Sequence, residues 1–137
     1  MKISARNQFK GNVSNINAGV VNGIVTIDVN GTPVSATISM EAIEELGLKE
    51  GAAAVAVVKA TEVMVGAVDL KLSARNKFAG KVAEVKEGAV NDIVKIETAI
   101  GTVSATISKA AVAELGLAAG SEAVAVIKAT SVMVGIE

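Results

Sequence analysis

Val34-Ser35-Ala36-Thr37-Ile38-Ser39-Met40-Glu41-Ala42-Ile43-Glu44-Glu45-Leu46-Gly47 changes period in its middle. From Val34 to Ser39 apolar and polar residues alternate, the pattern of a strand with one buried face. From Met40 the alternation stops. Ser39 is a good N-cap, Glu41 places negative charge in the first turn, and Gly47 is suited to end a helix in a left-handed conformation. A strand therefore runs straight into a short helix of about two turns. Upstream, Phe9, Gly11 and Val13 alternate with Lys10 and Asn12, and Val21, Val25, Ile27 and Val29 share one face. Asn30-Gly31 between two such runs is a hairpin signal, and Pro33 follows it where a strand tolerates proline. Downstream, Val55 and Val57, then Val63 and Val65, continue the period of two. The order strand-strand-strand-helix-strand-strand is that of the OB fold.

The whole pattern occurs twice. Val34–Ser39 returns as Val103-Ser104-Ala105-Thr106-Ile107-Ser108, and Glu45-Leu46-Gly47-Leu48 as Glu114-Leu115-Gly116-Leu117. Ser4-Ala5-Arg6-Asn7 returns as Ser73-Ala74-Arg75-Asn76, Lys59-Ala60-Thr61 as Lys128-Ala129-Thr130, and Val63-Met64-Val65-Gly66 as Val132-Met133-Val134-Gly135. Each pair is offset by 69 without a gap, and more than half of the aligned positions are identical. Length alone suggests one domain, but the duplication overrides it and predicts two modules, residues 1–68 and 69–137. The fold class expected is mainly β: two tandem OB-like five-stranded barrels, each with one short helix. A module of this size is marginal alone, yet 51% of the residues are hydrophobic, so apolar faces are expected to be buried between modules and between chains.

Composition removes several function classes. The chain has no Cys and no His, which leaves no disulfide framework, cysteine nucleophile, Ser-His pair or imidazole ligand. Thirteen basic residues against fourteen acidic ones give no electrostatic reason to expect nucleic acid, and the only aromatics, Phe9 and Phe78, sit at core positions. No apolar run approaches the length of a membrane span, and no signal peptide opens the chain. The expectation is a cytoplasmic protein with neither nucleic-acid nor membrane partner. Asp28, Asp69, Asp92 and the scattered Glu residues fall at no metal-ligand spacing and read as solvated charges, so an enzyme is not expected.

What recurs in both copies is a set of hydrogen-bond donors. Ser4, Arg6 and Asn7 lie near the start of the first copy, and Lys59 and Thr61 near its end. In a closed barrel the first strand lies near the last two, which would gather positive charge, hydroxyls and backbone N–H groups around Ala5 and Ala60, whose small side chains let an anion approach. The same residues also read as surface charges and ordinary strand positions. Ser39 and Ser108 suggest either plain capping or an anion at a helix N-terminus. Gly19-Val20-Val21-Asn22 and Gly88-Ala89-Val90-Asn91 are glycine turns, or turns that offer N–H groups to a ligand at a module boundary.

Taken together, Ile3-Ser4-Ala5-Arg6-Asn7-Gln8-Phe9-Lys10-Gly11, Gly19–Asn22, Glu45–Leu48, Gly51 and Val57-Val58-Lys59-Ala60-Thr61-Glu62-Val63-Met64-Val65 resemble the Mop domain of molybdate-binding proteins. The tandem resembles the two-copy molbindins. The resemblance implies OB-like modules around a three-fold axis, with tandem chains as homotrimers. It implies molybdate or tungstate as ligand, held at interfaces between modules with no directly ligated metal. One class of site would use Ser4, Ala5, Arg6, Lys59, Ala60 and Thr61, and in the second copy Ser73, Ala74, Arg75, Lys128, Ala129 and Thr130. Val20, Val21 and Asn22, with Ala89, Val90 and Asn91, would reach in from a neighbouring module. A second class near the axis would involve Ser39 and Ser108, where Met40 aligns with Lys109. The function implied is cytoplasmic storage and homeostasis of the oxyanion. The alternative is a molybdate-sensing assembly module that binds a protein partner.

Overall fold

A computed structural model describes all residues 1–137. The first copy holds β1 (Asn7–Ala18), β2 (Asn22–Val29), β3 (Thr32–Ser39), α1 (Met40–Glu45), β4 (Ala53–Val58) and β5 (Met64–Gly66), with a single 3-10 turn at Ala60–Glu62. The second holds β6 (Asn76–Lys86), β7 (Asn91–Thr98), β8 (Gly101–Ser108), α2 (Lys109–Leu115), β9 (Glu122–Ile127) and β10 (Met133–Gly135), with a 3-10 turn at Ala129–Ser131. The element order is the one expected, and the fold is mainly β: two curled five-stranded sheets, each with one short helix.

The two sheets do not keep their own last strands. Their orders are β10-β4-β1-β2-β3 and β5-β9-β6-β7-β8. Met133, Val134 and Gly135 pair with Val57, Ala56 and Val55, while Met64, Val65 and Gly66 pair with Val126, Ala125 and Val124. The recurrence of Val-Met-Val-Gly makes the two strands interchangeable, so repetition made the exchange possible and also hid it from a reading of each copy alone. Each curled sheet brings its outer strands, β3 and β10 or β8 and β5, into contact without a ladder between them.

Curling depends on β1. Its first half pairs with β4 and its second half with β2, with a bulge between Val13 and Asn15; β6 repeats this between Val82 and Glu84. Gly11 sits at the crossing, where a Cβ would collide with the Asp28 carbonyl oxygen, and Gly80 meets the Glu97 carbonyl in the same way. Bulges of this kind increase local twist.

The core is continuous across both copies and includes Phe9, Ile27, Val58, Phe78, Ile96 and Ile127. Both Phe side chains are buried as expected. The β2–β3 turn uses Asn30 and Gly31 with positive φ of 52° and 84°. The β7–β8 turn instead buries Ile100 in the core, and Thr98 Oγ1 both donates to the Gly101 carbonyl and accepts from the Ile100 N–H. That burial explains the different turn sequence of the second copy.

Asn7 and Asn76 lock the sheets together. The Asn7 carboxamide donates to the Ser104 carbonyl at 2.9 Å and accepts from the Ser104 N–H at 2.8 Å, on the edge strand β8. Asn76 does the same to Ser35 on β3, at 2.8 Å in both bonds. Each amide stands in for a strand on an otherwise open edge. Asn7 and Asn76 are 1% and 2% exposed, while the serines that they bond are half-buried.

Candidate oxyanion-binding pockets

The chain reverses direction at β4 so that the segment before β1 and the 3-10 turn after β4 end side by side: Asn7 pairs with Val58. This brings Ser4, Ala5 and Arg6 against Lys59, Ala60 and Thr61, in an open pocket of about 280 Å³ that Ile3 and Met133 complete. The second copy assembles Ser73, Ala74 and Arg75 with Lys128, Ala129 and Thr130 in a pocket of about 450 Å³, bordered by Leu72, Thr37 and Met64. Neither lining includes a carboxylate. In each 3-10 turn the internal bonds are made by the later N–H groups: Glu62 to the Lys59 carbonyl and Val63 to that of Ala60, then Ser131 to Lys128 and Val132 to Ala129. The first N–H groups of such a turn, at Ala60–Thr61 and Ala129–Thr130, have no partner within it. Both pockets therefore present two cations, hydroxyls and backbone donors.

Met133 and Met64 were not anticipated as lining residues. They reach the pockets because β10 and β5 are exchanged, so each pocket takes a methionine from the opposite copy. The only available signal was the recurrence of Met at both positions. Asn7, grouped with the anion donors in the sequence, instead has its amide spent on Ser104.

The other expected residues lie apart from these pockets. Val20, Val21 and Asn22, with Ala89, Val90 and Asn91, line neither one. Val20 is 98% exposed, an unusual state for a branched apolar side chain. Ser39 Oγ accepts from the Ala42 N–H at 3.0 Å and Ser108 Oγ from Ala111 at 3.1 Å, which is capping. The next donors are also engaged: Met40 N–H bonds to the Val21 carbonyl and Lys109 N–H to that of Val90. The glycine turn and the helix cap are thus one structural unit at one end of each module.

The reading of Asp92 as a solvated charge is corrected. Its side chain is 2% exposed and pairs with Lys109 Nζ at 3.0 Å, while its Oδ1 accepts from the Gly88 N–H. The Gly88 N–H and then the Lys109 ammonium hold the Asp92 carboxyl below the usual carboxylate range, and the same contact raises Lys109. The first copy has Gly23 and Met40 in these places, and a Cβ on Gly23 would collide with Met40 and Ile43. The departure at Met40 and Lys109 is therefore one exchange, an apolar plug for an ion pair, made at two positions together.

Known proteins are similar to one copy or to both. The TOBE domain profile matches residues 3–65 and 72–134. A probable molybdenum-pterin-binding protein of Haemophilus influenzae is 56% identical over 69 residues, half of this chain and all of its own length. The molybdenum transport protein ModE of Herbaspirillum seropedicae is 38% identical over 141 residues, all of this chain, which spans about half of ModE. Among solved structures, the cytoplasmic molybdate-binding protein ModG with molybdate bound superimposes with a TM-score of 0.95 at 42% identity, all of both chains being covered. With both copies matched over almost their whole length, the chain belongs to the TOBE-domain family and carries two such domains in tandem.

Proposed function

We propose that this chain binds molybdate or tungstate reversibly and non-covalently, as a cytoplasmic store that buffers the free oxyanion. The observation that carries the proposal is the convergence, twice, of Ser-Ala-Arg and Lys-Ala-Thr segments from opposite ends of a copy into a pocket without a carboxylate. The full-length likeness to ModG, itself a molybdate-binding protein, supports the same ligand. Arg6 and Lys59 supply charge, while Ser4, Thr61 and the turn N–H groups supply direction; Arg75, Lys128, Ser73 and Thr130 do so in the second half. No bond is made or broken, so the role is that of a binding protein and not an enzyme.

The donor set also selects. Molybdate is an unprotonated dianion at neutral pH, whereas hydrogen phosphate carries a proton that needs an acceptor. Where only donors face it, the mismatch costs roughly 1–3 kcal/mol. Sulfate has no such proton and must be rejected by size.

Both pockets are open, and their Arg, Lys, Ser and Thr side chains are exposed in the single chain. A tightly held dianion needs water removed around it, and a second chain would provide that cover. We infer a homotrimer in which the exposed Val20–Asn22 and Ala89–Asn91 turns reach a neighbour's pockets. Calorimetric titration with molybdate in excess sulfate is the test. Saturation above one anion per chain is expected; no heat from the folded protein would remove the storage role.

A further inference from the structure

Between the two modules lies a third basic cleft, of about 300 Å³, that adjoins the Ser4 pocket and shares Arg6 and Ala60 with it. Arg6 and Ala60 enter it from the first copy. Lys86 at the end of β6, Lys95 and Ile93 on β7, and Ser104 and Thr106 on β8 enter it from the second. The bonds from Asn7 to Ser104 fix this juxtaposition, because they hold the residue next to Arg6 against β8. Arg6 and Lys86 form no ion pair within the chain, and Lys95 has only a long one, 3.7 Å to Glu84. The hydroxyls of Ser104 and Thr106 make no side-chain hydrogen bond in the chain.

The duplication supplies an internal control. At the equivalent place in the other half, Ser35, Thr37, Ile24 and Arg75 are retained, but Lys86 is replaced by Asn17 and Lys95 by Thr26. The two lysines are therefore not needed to fold a module, and like charges brought together with only the long Lys95–Glu84 pair to offset them oppose each other. Three cations in one cleft, against two in the Ser4 pocket, match an anion of more than two charges.

We propose that this cleft is a further anion site, present once per chain and sharing Arg6 with the Ser4 pocket, that takes a small polyanion of more than two charges, such as a condensed phosphate, through Arg6, Lys86, Lys95, Ser104 and Thr106. Lys86 and Lys95 set its affinity and are absent from the Ser4 and Ser73 pockets. The proposal does not rest on molybdate binding.

The test is calorimetric titration of the intact chain with pyrophosphate and, separately, ribose 5-phosphate, for wild type and for a K86N/K95T variant. The substitutions copy the first module's residues, so the fold is retained; matched thermal melting verifies this, and K86Q alone is a milder second variant. Saturable pyrophosphate binding that weakens roughly tenfold or more in the double variant is the expected result. Ribose 5-phosphate carries at most two charges and is expected to bind more weakly than pyrophosphate; binding of equal strength would overturn the match to an anion of more than two charges. Molybdate titration of the same variant should be unchanged at the Ser73 pocket, which separates failure of this site from failure of the storage role. Equal pyrophosphate affinity in wild type and variants, or no binding in either, overturns the proposal.

Discussion

At the scale of single residues, two side chains do work that their type does not announce. Asn7 and Asn76 each satisfy both backbone groups of a residue on a foreign sheet. Asn7→Ala would leave the Ser104 N–H and carbonyl unpartnered in a half-buried interface. A loss of about 2–4 kcal/mol is expected, since each stranded buried polar group costs roughly 1–3 kcal/mol; urea denaturation measures it, and Asn76→Ala should match it. Asp92 gives a prediction with a sign. Its folded pKa lies below its unfolded value, so its pairing stabilises the fold above the unfolded carboxyl range and is lost as pH falls through the folded pKa. Lys109 is raised, so its contribution is full below the unfolded ammonium pKa and disappears only as pH rises through the folded one. Asp92→Asn should therefore melt well below wild type near neutral pH, with the gap narrowing in acid below about pH 4. A gap independent of pH would refute the pairing as its source. For ligand, Arg75→Ala should weaken molybdate at the Ser73 pocket roughly tenfold or more and leave the Ser4 pocket intact, read as a biphasic titration.

At the scale of elements, the strands, helices and turns were legible because their signals are local. Val34–Ser39 alternates, Ser39 caps, and Asn30-Gly31 turns, each within a few residues. The donor segments of the pockets were legible for another reason: duplication repeated them with fixed spacing. Pairing partners were not, since Val63–Gly66 and Val132–Gly135 carry the same residues and nothing local assigns either to β4 or β9. The ion pair of Asp92 and Lys109 was hidden in the same way. Only the register of β7 beside the turn at Gly88 and the start of α2 brings those positions together. Gly11 stands between these cases, visible as a glycine in a strand but explained only by the Asp28 carbonyl beneath it. Gly11→Ala must push β1 off β2 at the point where the sheet curls. A cost of about 1–3 kcal/mol or more is expected, as for overpacking of a well-filled site, and thermal melting would report it. Gly80→Ala should behave alike at the Glu97 carbonyl.

At the scale of the molecule, the exchanged strands make each module incomplete by itself. A chain ending at residue 70 keeps β1 to β4 and its own β5, but β4 has lost β10 and the Ser4 pocket has lost Met133. Two such chains can repair both defects by giving β5 to each other, because β5 and β10 share Met-Val-Gly and the preceding Val. Asn7 of one chain would then meet Ser35 of the other, where Asn76 binds in the tandem. Folding β5 back onto its own β4 instead would leave the edge of β3 without its asparagine and the apolar face toward the second module in water. The expected outcome is that residues 1–70 form a dimer or a multiple of it in sedimentation, with pockets that still bind molybdate. Joining the halves through residues 67–75 makes that association intramolecular and so independent of concentration. A stable folded monomer of residues 1–70 would show that the exchange is a consequence of the linker and not a requirement of the module.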